Sequence, residues 1–185
     1  CRITNSSWHG THVAGTIGAT PNNGAGIAGI NWVSKIVPVR VLGKCGGYDT
    51  DIAAGMVWAA GGSVAGVPTN ANPARVMNLS LAADSTDSWQ TDPLCAAVRS
   101  ATAAGITVVV AAGNFGKNVF GQERYGTISA PGNDPSVITV GSANFKGTTA
   151  RSDDVVNMFS SRGPTRGGWT DGAGVRHADN LLKPD

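Results

Sequence analysis

Apolar runs alternate with stretches of helical spacing along most of the chain. Val33 to Leu42 (V-S-K-I-V-P-V-R-V-L) is strand-like, and Asp51 to Ala60 (D-I-A-A-G-M-V-W-A-A) predicts a helix behind the cap signals Thr50 and Asp51. Gly61 to Pro73 reads as a loop rich in Gly, Pro and Asn, and Arg75 to Leu81 as the next strand. Asp92-Pro93 opens a second helix that runs through Ala104, with Pro93 suited to the first helical position and Gly105 to the stop. Ile106 to Val110 (I-T-V-V-V) predicts a strand buried on both faces, and Pro135 to Val140 a further short strand. This strand–helix–strand order predicts an α/β fold: three layers, with a mostly parallel central sheet and helices on both faces. From Asn144 onward the chain is polar and turn-rich and reads as surface loop. No internal repeat or low-complexity segment stands out.

Composition narrows the picture. A length of 185 residues fits one sizeable core, so a single domain over 1–185 is expected. Hydrophobic residues make up 41% and charged residues 14%, with 26 glycines, a globular and loop-rich balance. The formal charge of +2 comes without a basic, aromatic-interleaved cluster, which argues against a nucleic-acid partner. No apolar run is long enough to span a membrane. The chain opens at Cys1 without a methionine or signal pattern and closes at Leu182-Lys183-Pro184-Asp185 in loop-like sequence, so a piece of a longer protein is expected. Cys1, Cys45 and Cys95 form no C-x-x-C pair, which disfavours a zinc or redox site. They are either free buried thiols or, in a secreted protein, one pair plus a partner for sequence outside the chain.

Candidate chemistry concentrates in Trp8-His9-Gly10-Thr11-His12-Val13-Ala14-Gly15-Thr16. Gly10, Ala14 and Gly15 lack bulk, so a helix carrying them can lie against other backbone deep in a core. His9 would then point out of its buried N-terminal end as a base that titrates near neutral pH. His9 and His12 stand at i, i+3 and could share a metal. The zinc-protease pattern H-E-x-x-H needs i, i+4 spacing and a glutamate, and neither is present. His12 reads as structural. The run closely resembles the histidine motif H-G-T-H-V-A-G of the subtilisin-like serine endopeptidases (subtilases), and the resemblance implies that His9 is the catalytic base.

The resemblance continues in family order along the chain. Ala111-Ala112-Gly113-Asn114 follows the I-T-V-V-V strand, which places a short amide at the carboxyl edge of the sheet, where open α/β folds bind ligands. Taken alone, Gly113-Asn114 more commonly makes a turn. The resemblance implies that Asn114 holds the oxyanion. It also implies that a peptide substrate adds as a strand between two edges. One edge is Ser80-Leu81-Ala82 with Gly113, matching the family's S-L-G run; the other is Gly46-Gly47-Tyr48. Ala82 replaces the glycine usual there, so its methyl can narrow the primary specificity pocket, and side-chain preference stays open. Ser160-Ser161-Arg162-Gly163-Pro164 resembles the F-S-S-R-G-P segment that precedes the family's serine motif. Residues 1–8 hold no aspartate, no G-T-S-M-A-like motif occurs, and Ser6, Ser7, Ser160 and Ser161 are not in family serine positions. The resemblance therefore implies a partial catalytic domain, cut at both ends and inactive by itself. Its parent would be a secreted, monomeric endopeptidase that cleaves protein substrates through an acyl-enzyme.

Gly24-x-Gly26-x-x-Gly29 is a formal dinucleotide fingerprint, but that motif must follow a strand and open a helix, and here it follows a polar turn. Pro21 to Gly29 instead resembles the calcium loop of subtilisins, with Asn23 as side-chain ligand and the carboxylate supplied from upstream; a plain loop is the simpler reading. No cofactor is implied for catalysis, and calcium only for structure. Some secreted bacterial subtilases resemble the chain around V-R-V-L-G-K-C-G-G and cross-link that loop to one after the S-L-G strand, which implies a Cys45–Cys95 disulfide. Three rivals remain: a subtilase-like pseudoenzyme that binds peptides without cleavage, a nucleotide-binding α/β module, and a structural domain with His9 and Asn114 far apart.

Overall fold

The computed structural model describes residues 5–83, 85 and 87–185. The chain forms two compact units, Cys1–Ala74 and Arg75–Asp185.

In the first unit, helix α1 (His9–Gly18) starts at the histidine motif. None of its residues is buried, and a Cβ on Gly10 would meet nothing within 4 Å. The expected deep-core setting of Gly10, Ala14 and Gly15 is therefore not met. Lack of bulk permits a close approach, but a neighbouring backbone must supply it. That neighbour arrives at the other end of the helix. The amides of Ile30 and Asn31 donate to the carbonyls of Thr16 and Ile17 at 3.0 and 2.9 Å, taking up acceptors the helix end leaves free. A Cβ on Gly29 would overlap the backbone of Gly18 and Ala19. Gly29 is thus a close-packing glycine at a helix C-terminus, the opposite of the helix opening a dinucleotide fingerprint needs.

Helix α2 (Asp49–Ala59) begins two residues before the expected start. Tyr48 is its N-cap and makes no side-chain cap bond. Asp49 and Asp51 lie in the first turn, where negative charge complements the helix dipole. Gly61, at φ 88°, ends the helix. The amides of Gly61 and Gly62 return to Trp58 O and Val57 O at 3.0 and 2.8 Å, a Schellman closure. The predicted strand over 33–42 is not formed: among the described residues no ladder joins it, and Val33 is 89% exposed. β-Branched residues favour extended backbone, but a strand exists only through a pairing neighbour. Val41 instead presses on α2, where a Cβ on Gly55 would overlap its Cγ1.

The second unit carries the sheet. Strands β1 (Val76–Leu79), β2 (Thr107–Ala111) and β3 (Ile138–Val140) pair in parallel in that order, with Val76 opposite Thr107 and Val109 opposite Ile138. Helix α3 (Pro93–Ala103) forms the crossover between β1 and β2. Asp92 caps it through a 2.9 Å bond from the Cys95 amide, and Pro93 takes the first turn. Gly105, at φ 84°, closes it as expected, with Ile106 N–H returning to Ala101 O at 3.1 Å. Leu94, Cys95, Val98 and Ala101 form the buried face of α3, which packs on β2. Only one face of β2 is fully buried: Val108 and Val110 are each 1% exposed, while Thr107 is open and Val109 half-buried. The expectation of burial on both faces is corrected accordingly.

The stretch after Asn144 is more ordered than surface loop. Strands β4 (Ala143–Asn144) and β5 (Val155–Val156) pair antiparallel, as do β6 (Gly168–Thr170) and β7 (Arg176–Ala178). Ser160, Ser161 and Thr165 are buried. The structure thus shows a parallel sheet with helices, an α/β fold.

The expected Cys45–Cys95 bridge is absent. Cys45 is disulfide-bonded, but Cys95 is a free, buried thiol, and Cys1 lies outside the described residues. Asp92 sets the helix start so that Cys95 falls on the core face, where its Sγ donates to Asn133 Oδ1 at 3.2 Å. Burial pushes the Cys95 thiol far up, and the Asp92 and Asp134 carboxylates add to the shift. An unfolded thiol ionises near pH 8.5. Above that pH the unfolded chain has lost a proton that the native chain keeps, so this group makes stability fall as pH rises. Mass spectrometry after iodoacetamide at pH 8.5 should find Cys95 unmodified in the native protein and fully modified in urea. Native modification at the unfolded rate would contradict the buried placement.

Candidate active site

β1 and β2 run in parallel, so their carboxyl ends open on one edge. Beyond β1 the chain continues through Ser80, Leu81 and Ala82 to Ala83, whose amide donates to Ala130 O at 2.9 Å. Beyond β2, Ala112 still reaches β3 through a 2.9 Å bond to Val140 O, and Gly113 then turns the chain at φ 104°. Ser80, Leu81, Ala82, Ala111, Gly113, Asn114 and Phe115 line a pocket of about 160 Å³ at this edge. Five of the residues singled out from sequence are therefore brought together: Ser80, Leu81, Ala82, Gly113 and Asn114. Asn114 is exposed, so its amide is free to meet a ligand.

The turn that presents Asn114 is built from behind by 158–162. Ser161 donates its amide to Gly113 O at 3.0 Å and accepts the Phe115 amide on Oγ at 3.1 Å. One residue later, Gly116 N–H reaches Phe159 O at 2.9 Å, and Arg162 Nη1 donates to Gly116 O at 3.0 Å. Arg162 is held in turn by Glu123 at 3.2 Å. A Cβ at Gly113 would come within 2.9 Å of Ser161 Oγ, so both the positive φ and the packing require glycine there.

The other candidates lie in the first unit. His9 is the first residue of α1 and is exposed, not set in a buried helix end; its amide donates to Ser7 Oγ at 3.4 Å. Gly46, at φ 98°, closes a tight turn in which Gly43 N–H meets Gly46 O at 2.7 Å. A Cβ on Gly47 would overlap Val41 O, and Tyr48 is 78% exposed. Asn23 Oδ1 accepts the Ala25 amide at 3.0 Å in a local turn. Asn22 and Asn23 are the side-chain oxygens of 21–29, which holds no carboxylate, so a calcium ion here would draw the rest of its six to eight oxygens from backbone carbonyls and from residues outside the segment. No catalytic step is assigned to calcium.

The model of the subtilase family matches residues 2–173. The chain belongs to the subtilase family. It is 50% identical over 145 residues to an extracellular protease of Xanthomonas campestris pv. campestris, covering 78% of this chain and 23% of that protein. An extracellular basic protease of Dichelobacter nodosus is 44% identical over 145 residues, covering 78% of this chain and 22% of that protein. Among solved structures, a protease from Pseudoalteromonas arctica superposes with a TM-score of 0.70 at 34% identity, covering 98% of this chain and 56% of the other. The chain thus spans less than a quarter of these two curated relatives and 56% of the solved one. Its α/β fold is the subtilisin-like one, truncated.

Within this subtilase chain, sequence reasoning missed Phe115 in the pocket wall and the role of 158–162. The F-S-S-R-G-P likeness was the available signal, but polar composition disguised two buried serines. Replacing Gly113 by Ala should lower stability by about 1–3 kcal/mol, through a disallowed φ and contact with Ser161. Gly121→Ala, at φ 78° in open space, should cost less. Urea unfolding midpoints of the two variants check the order; equal midpoints would show that the packing behind Gly113 is loose.

Proposed function

We propose that the protein containing this chain is a secreted serine endopeptidase that hydrolyses peptide bonds in protein substrates through an acyl-enzyme. The observation that carries this reading is the single pocket shared by Asn114 and Ser80-Leu81-Ala82 at the carboxyl edge of β1 and β2. Subtilase membership supports it, as do relatives named extracellular proteases.

Acyl transfer needs a nucleophile, a base, an orienter of the base and donors for the developing oxyanion. His9 is assigned the base: it accepts the proton of the attacking serine and returns it to the leaving amine. Asn114 is assigned the oxyanion donor, because a side-chain amide on a fixed turn stabilises charge without reorganising as the charge forms. Ser80-Leu81-Ala82 is assigned the backbone-binding edge beside Asn114, and Gly46-Gly47-Tyr48 is assigned to substrate binding as well. Ala82 lines the pocket as an exposed residue, so its methyl bears on the primary side chain of the substrate. The serine and the aspartate are assigned to sequence outside this chain.

In the full-length protein, His9→Ala should lower kcat on a chromogenic peptide by about 10⁴-fold or more. Asn114→Ala should lower it by about 10²–10³-fold, the established magnitude for loss of such a donor in a subtilisin. The 185-residue chain alone should not be labelled by a fluorophosphonate. Peptide binding without turnover by the intact protein would favour the pseudoenzyme. Labelling abolished by changing a serine of this chain would overturn the residue assignment.

A further inference from the structure

We propose that Ser161 is the positioning residue of the oxyanion site: its backbone and hydroxyl together fix the peptide units on both sides of Asn114. The inference rests on the reading of Asn114 as oxyanion donor and extends it to a residue outside the pocket wall.

Ser161 touches the turn at two points that bracket one residue. Its amide binds the carbonyl before Asn114, at Gly113, and its Oγ takes the amide after Asn114, at Phe115. With the flanking peptide planes held, the φ and ψ of Asn114 have little freedom, and the Cα–Cβ direction of its side chain is set. Ser161 is itself 1% exposed, so the bond is shielded from water on the serine side. Its neighbours are anchored as well: Ser160 Oγ accepts the Ser142 amide at 2.9 Å, and Gly116 N–H meets Phe159 O at 2.9 Å. Gly116 sits so close to the backbone of Ser160 that a Cβ there would overlap its carbonyl. The clamp therefore has a rigid support on the side away from the pocket. An oxyanion donor works only within a few tenths of an ångström of its target. A displacement of about 1 Å can cost on the order of 10²-fold in rate.

Removing the hydroxyl leaves the Ser161 amide bond to Gly113 in place but takes away the acceptor of the Phe115 N–H, on a residue that is half-buried. The turn can then relax by swinging that peptide, and Asn114 moves with it. Ser161→Ala should accordingly lower kcat by about 10-fold to 10²-fold with KM nearly unchanged, since the lost interaction matters only when the oxyanion forms.

The test is a double-mutant cycle on peptide hydrolysis by the full-length protein, with Ser161→Ala, Asn114→Ala and both together. The expected result is that Ser161→Ala costs little further activity once Asn114 is gone. A merely structural serine would multiply its loss in both backgrounds, and that outcome overturns the proposal, as does a Ser161→Ala enzyme with full kcat. If Asn114→Ala itself retains kcat, the oxyanion assignment fails first, and this is visible independently of Ser161. Ser161→Cys, of similar size with a weak acceptor, should give a smaller loss than Ala. It serves the same cycle if Ser161→Ala does not fold.

Discussion

The pair of hydrogen bonds between Ser161 and the Gly113–Phe115 turn joins two parts of the chain nearly 50 residues apart, and the pocket depends on it. A parallel sheet delivers strand ends to one edge, but it does not decide what the chain does after leaving the last ladder bond. At β2 the chain reverses at a glycine with φ 104°, a geometry no other residue adopts without strain. Without a partner for the Phe115 amide, that reversal would leave a backbone donor of a half-buried residue without its protein acceptor. Ser161 meets both needs, and the exposed Asn114 is left at the pocket wall. Rigidity behind the turn and exposure in front of it are the two conditions an electrostatic donor requires.

The second unit keeps that edge in place through ordinary means. Asp92, Pro93 and Gly105 fix both ends of α3, so Leu94, Val98 and Ala101 fall on the face that meets β2. Behind this layer, Asp134 is fully buried and paired with Arg99 at 2.7 Å. Arg99 also reaches Trp89 O at 2.6 Å and lies over the Trp89 ring. The charge is buried at a cost, but it is neutralised and hydrogen-bonded on several sides, which ties the loop before α3 to the loop before β3. The first unit is held differently, by glycines: Gly29 against the end of α1, Gly55 against Val41, and Gly61 at the end of α2.

Local signals predicted what local physics decides. The cap, the proline and the stop glycine of α3 are all present in the sequence, and the helix follows them almost to the residue. β2 and β3 were readable from short runs rich in β-branched residues, and β1 from the alternating R-V-M-N-L-S-L stretch. Grouping Ser80-Leu81-Ala82 with Gly113-Asn114 was also readable, because parallel strands must end on one edge. What failed depended on partners that sequence does not name. Residues 33–42 have strand composition but no ladder. Cys95 lies on the first turn of α3 as expected, yet the helix phase turns it to the core and away from any bridge. Ser160 and Ser161 look like loop serines because the hydroxyls that accept backbone amides here are the same chemical groups that suit water.

Under the proposed function, the clamped turn holds Asn114 where an oxyanion forms. A crystal structure of the full-length protein bound to a peptide boronate or peptide aldehyde tests it most directly, since either adduct carries an oxygen at the transition-state position. Asn114 Nδ2 is expected at about 2.7–3.1 Å from that oxygen, with the Phe115 amide still on Ser161 Oγ. An adduct oxygen held by other donors, with the Asn114 amide turned to solvent, would contradict it.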